Sequence, residues 1–250
     1  MVMSWICAAC LFINKISSTR LQAFSLLEIA FVLIIIGMVS LYTIPTFIHA
    51  RTVAKIRETD EKLEALSYAL AGYVLIHQHL PSPANPIAPD ADSGSDDLMT
   101  GIIPYRKLGI QAKDAKDGYK NWISYSVSPG LRQPTRSMLT PMPAIGSDRF
   151  CQIPASVMAL SVHNGHGQSL LRQTSDDMIA FVLISHGKNG DGAFDHKGQR
   201  RPVHTSLKEK NSDGNAVFID APLTHEFDDR VRWVTRNNLM AIYAKRPCVR

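Results

Sequence analysis

The chain reads as an α+β protein, one long N-terminal helix packed on a mostly antiparallel β-sheet. Three observations predict this. An uncharged run from Ile29 to Ile48 has about the 20 residues that a helix needs to cross a hydrocarbon core. Val53, Ile56, Leu63, Leu66, Leu70, Tyr73, Val74 and His77 then recur at intervals of three, four or seven, which is one face of an amphipathic helix. Short apolar stretches separated by turn residues occupy the rest.

The helix is expected from about Leu26 to His79, roughly 80 Å at 1.5 Å per residue. Its first half is apolar all round. Its second half sets Arg57, Glu58, Asp60, Glu61, Lys62 and Glu64 against the apolar face. Pro81, Pro83, Pro86 and Pro89 end it and open a Pro- and Asp-rich linker over 81–100. The remaining 101–250 make one β-rich body, enough for one small domain. Candidate strands are Trp122 to Val127, Val157 to Val162, Met178 to Ser185, Asn215 to Asp220 and Arg230 to Val234. Met178 to Ile184 is wholly apolar, which predicts a central strand covered on both faces. Ser128-Pro129-Gly130, Gly187 to Gly192 and Ser212 to Asn215 are turns, and a short helix is expected over about 236–245.

Glu28 is the anomaly in this pattern. A carboxylate one turn inside a membrane-length helix is costly and needs a partner. An ordinary signal anchor explains the length of the run but not Glu28.

Phe24-Ser25-Leu26-Leu27-Glu28 after the small residue Ala23, followed by the apolar run with Pro45, resembles the N-terminus of type IV prepilins and type II secretion pseudopilins. Ala23 departs from the Gly usual before the scissile bond. Ile103-Pro104-Tyr105-Arg106-Lys107-Leu108-Gly109, the turn around Asp114, Asp117 and Gly118, the segment Ala180 to Gly190 and Phe227-Asp228-Asp229-Arg230-Val231 are similar to body segments of the same class.

The resemblance implies a pilin-like fold, with a leader over 1–23, a membrane half of the helix over 24–48 and an amphipathic half over 49–80. It implies cleavage by a prepilin peptidase between Ala23 and Phe24 and methylation of the new Phe24 amine. Glu28 would then offer its carboxylate to the Phe24 amine of a neighbouring subunit, with Pro45 also in the packed helix. The implied protein is a minor pilin or pseudopilin that meets other subunits and an inner-membrane assembly platform. It is single-pass, with its body in the periplasm. The alternative is a membrane-anchored periplasmic binding module that does not polymerise. Lys15 and Arg20 before the span balance Arg51, Lys55 and Arg57 after it, so charge alone gives no orientation.

Cys7 and Cys10 would leave with the leader. Cys151 and Cys248 remain, and in an oxidising periplasm this even pair suggests a disulfide tying the tail to the sheet, with two buried free thiols as the other reading.

Catalysis is not expected. Around Ser185-His186-Gly187 only the second glycine of a nucleophile elbow is present, and adjacent side chains on an extended segment point to opposite faces. His163-Asn164-Gly165-His166 has no better claim. No cofactor is expected beyond a weak case for calcium at Asp90 and Asp92, or at Asn189 and Asp191 with Asp195. The first loop lacks the glycine and the glutamate of a calcium loop, and solvated acidic loops are the favoured reading. Nucleic acid is not an expected partner. The net charge of +5 falls to +3 once Lys15 and Arg20 are removed (25 basic against 22 acidic residues). The basic residues late in the chain show no aromatic interleaving.

Overall fold

A computed structural model describes residues 25–90, 99–132, 149–152, 160–171 and 178–248. Ala23, Phe24, Cys7, Cys10 and Asp92 lie outside the described residues, as does the first part of the strand expected from Val157. The contacts divide the chain into two units, Met1–Ala50 and Arg51–Arg250.

Helix α1 covers Leu26–His77. It starts where Ser25 accepts the Glu28 N–H on its hydroxyl at 3.2 Å, so Ser25 and Glu28 supply half of a capping box and Glu28 adds an acid to the first turn. Pro45 lies inside the helix without breaking it. The Thr43 and Thr46 hydroxyls beside it donate to the Val39 and Thr43 carbonyls. The helix stops at Gln78, whose φ of 59° is left-handed. The prolines therefore follow the end rather than make it.

In the second unit, strands β1 (Thr100–Ile102), β2 (Ser124–Val127), β4 (Ile179–Ser185) and β6 (Arg230–Thr235) form a four-stranded antiparallel sheet in the order β1-β2-β4-β6. Strands β3 (Ser161–His163) and β5 (Val217–Ile219) form a separate parallel pair. Helices α2 (Arg149–Gln152) and α3 (Ser206–Lys210) are single turns. The chain closes through α4 (Arg236–Asn238) and a π turn over Leu239–Tyr243, at the place expected for a final helix. The coarse expectation of a long helix and an antiparallel sheet in an α+β protein is met.

Strand β4 is buried at every residue because it serves two cores. Phe181 and Leu183 face the larger one, with Leu63, Leu66, Leu70 and Val74 of α1 and with Tyr125 and Val234. Val182 and Ile184 face a smaller one with Val162 and Phe218 of the parallel pair. A register shift between Ile179 and Phe181 puts the adjacent Ala180 and Phe181 in the same core. Burial of each large side chain contributes about 1.5–3 kcal/mol, so the helix face and the central strand carry much of the body's stability.

Strand β1 was not expected, because Thr100-Gly101-Ile102 straddles the boundary at 100/101 between the stretch read as linker and the body. The chain leading into the linker stretch and its first residues pack closely. Leu80, Pro81, Ser82, Pro83 and Ala84 are buried, Leu80 N–H donates to the Leu131 carbonyl at 2.7 Å, and Ala84 pairs with Ile102.

Candidate functional site

The first half of α1 is a surface. From Leu26 to Ile48 its large apolar side chains are between 46% and 88% exposed. Among the described residues α1 is the one helix long and apolar enough to cross a membrane. Glu28 and Pro45 both sit in this half, Glu28 exposed in the first turn.

The body holds a second arrangement, a buried polar network around the turn after β4. Ser185 and His186 go to different partners, as expected of neighbours on an extended segment. The Ser185 hydroxyl donates to Asp117 Oδ2 at 2.7 Å, and His186 Nε2 pairs with the Ser124 hydroxyl at 2.8 Å. His186 Nδ1 stands 4.0 Å from Asp229 Oδ2. Ser124, His186 and Asp229 thus have the order of a catalytic triad, but all three are buried, His186 and Ser124 completely. Burial, with Arg200 and Lys208 nearby, holds the His186 imidazole well below its ordinary range and keeps it neutral.

Lys208 is the centre of this network. Fully buried, its ammonium reaches Asp228 Oδ1 at 2.5 Å, Asn189 Oδ1 at 2.6 Å and Asp229 Oδ1 at 3.2 Å. Asn211 donates to Asp229 Oδ2 at 2.9 Å and clamps Ile219 of β5 through both its amide groups. Burial pushes the Asp229 carboxyl up to about 6 against the pull of Lys208 and Asn211. Asp228 Oδ2 accepts the Lys188 N–H at 2.7 Å, and any side chain at Gly187 (φ 65°) would land on Asp228.

Asp117 ties the network towards α1. Burial raises its carboxyl, while bonds from Ser185, Asn121 and Tyr119 favour the charge. The Gly118 N–H donates to Thr59 Oγ1 of α1 at 3.0 Å, and a Cβ at Gly118 would strike the Lys55 backbone. What this arrangement does chemically is hold shape. It fastens the β4 turn, α3, β5 and the start of β6 to one another.

Among the described residues, the calcium candidates are engaged otherwise. Asp90 accepts from the Tyr105 hydroxyl and from Arg106. The Asn189 oxygen takes Lys208 and the Asp191 N–H, Asp191 Oδ2 pairs with His204, and Asp195 caps its own turn. No group of three potential metal ligands occurs among the described residues. Cys151 and Cys248 are joined in a disulfide, their Cα atoms 5.5 Å apart across 97 residues of sequence.

No family model, curated protein or solved structure matches this chain.

Sequence reasoning treated Asp228-Asp229 as a motif without a partner and missed Lys208, Asn211 and Ser124. Lys208 lies in Ser206-Leu207-Lys208-Glu209-Lys210, which reads as solvated helix. The one usable signal was the Asp-Asp pair at the entry to an alternating strand, since a carboxylate carried into the core there needs a buried cation.

Proposed function

We propose that the chain is a structural subunit, a minor pilin or pseudopilin, of a type IV pilus or type II secretion filament. One observation carries the reading: an apolar helical surface, exposed from Leu26 to Ile48, on a helix whose later turns belong to the core of a sheet-bearing body. The resemblance of Phe24 to Glu28 and of Pro45 to the prepilin N-terminus supports the finer assignment. In this reading a prepilin peptidase removes residues 1–23, the Phe24 amine is methylated, and Glu28 pairs with that amine on a neighbouring subunit as the helices stack. A buried pair of this kind sets register and partner choice more than it adds stability. The body lies in the periplasm, and the inner-membrane assembly platform and other subunits are its partners.

N-terminal sequencing and intact mass of the protein from its native membrane test this. N-methylated Phe24 as the first residue is expected, and an intact leader refutes the reading. A processed chain that never enters filaments fits instead a membrane-anchored binding module.

A further inference from the structure

One loop of the body carries three lysines, Lys113, Lys116 and Lys120, and the helix turn it packs against carries a fourth, Lys55. The loop from Lys113 to Lys120 lies against the turn of α1 that carries Lys55 and Thr59, held by the bond from Gly118 to Thr59 and by Lys62, whose ammonium reaches the Lys113 carbonyl at 3.4 Å. Lys55 stands over the Tyr119 ring at 5.0 Å, and Lys116 over the Trp122 ring at 4.2 Å. Lys55, Lys113 and Lys120 are exposed, and Lys116, Tyr119 and Trp122 half-buried. Neighbouring carboxylates are engaged elsewhere: Glu58 by Lys62, Glu61 by Arg57 and Asp60 by Arg230, while Asp117 is buried. Asp114 is the counter-charge that remains in the loop. Lys55 follows Ile48, the last residue of the apolar run, by seven positions in sequence.

We propose that Lys55, Lys113, Lys116 and Lys120, with Tyr119 and Trp122, form a docking surface for the headgroups of an anionic bilayer. The inference rests on the membrane reading of α1 above. Lysine clusters next to a membrane segment attract anionic lipid, and Tyr and Trp favour the interfacial layer where their rings are half-wet. The pairing of cation with aromatic ring suits that layer. The surface holds the body to the membrane until the subunit leaves it.

The full chain is reconstituted into neutral phosphatidylcholine vesicles and into vesicles containing phosphatidylglycerol. Lysines are labelled with an amine-reactive reagent and mapped by mass spectrometry, with Lys197 and Lys210 as references. Co-flotation with both vesicles and about fivefold less labelling of the four lysines on the anionic ones are expected, reversed in concentrated salt. The variant K113Q/K116Q/K120Q should float equally well and lose the protection of Lys55. Equal labelling on both vesicles overturns the docking surface and leaves the anchor intact. Failure to float overturns both. Protection on neutral vesicles by added duplex DNA, without protection by anionic lipid, overturns the assignment in favour of nucleic acid.

Discussion

Replacing Lys208 by alanine tests whether the buried network holds the body together. The substitution removes the ammonium that reaches Asp228 at 2.5 Å, Asn189 at 2.6 Å and Asp229 at 3.2 Å, and it leaves the Asp229 side chain, fully buried, with Asn211 as its remaining donor. Breaking one side of a buried ion pair costs about 3–5 kcal/mol, most of it the uncompensated charge. That charge gives the loss a pH signature. The Asp229 carboxyl already titrates at about 6 in the folded protein, above its ordinary 3.8, and without Lys208 it rises further. A group raised on folding favours the folded state below its unfolded value, and that benefit is lost as pH rises through the folded one. The deficit of Lys208→Ala is therefore smallest near pH 5, where the carboxyl is protonated in both proteins. It grows above pH 6 by up to about 1.4 kcal/mol per pH unit until the variant's carboxyl is ionised. Urea unfolding of the full chain in detergent, followed by Trp fluorescence from pH 5 to 8, measures it, with the exposed Lys210→Ala as control. A loss at pH 8 within about 0.5 kcal/mol of the control, or a deficit that shrinks as pH rises, refutes the reasoning.

Glu28→Val should leave cleavage after Ala23 intact and abolish recovery of the protein in sheared filaments, and normal filaments from this variant would end the assembly role of Glu28. Gly118→Ala sets a methyl group against the Lys55 backbone and should cost about 1–3 kcal/mol in the same unfolding assay, whereas Gly109→Ala, with no atom near its Cβ but φ at 68°, should cost only the backbone strain of about 1 kcal/mol. Reducing the Cys151–Cys248 disulfide opens a loop of 97 residues and should lower stability by about 2–5 kcal/mol, read as a shifted urea midpoint with and without reductant.

The sequence made the long helix and the central strand plain because their patterns answer to burial alone. An uncharged run with no alternation, Ile179 to Ile184, had to be covered on both faces, and it is. Strand β1 escaped because three residues with a glycine carry no periodicity, and its pairing with β2 and with Ala84 comes from partners distant in sequence. The end of α1 was legible only to within two residues, since the left-handed turn is made by Gln78, a residue with no helix-stopping reputation. At the candidate site, Glu28 was legible as an apolar-run anomaly, and in the structure it also places an acid in the first turn of the helix, its N–H capped by the Ser25 hydroxyl. Lys208 was illegible because a buried lysine and a solvated one look alike in sequence. Only the fold brings it under Asp228 and Asp229.

The disulfide also sets how the body answers a pull. Residues 151 to 248 enclose β3 to β6 and the Lys208 network in a covalently closed loop. A force applied through α1 and the tail travels across the sulfur bridge and bypasses that loop. About 330 Å of contour, 97 residues at about 3.4 Å each, is withheld from extension. Oxidation thus keeps β4 and β6, two of the four strands of the sheet, out of reach of such a pull.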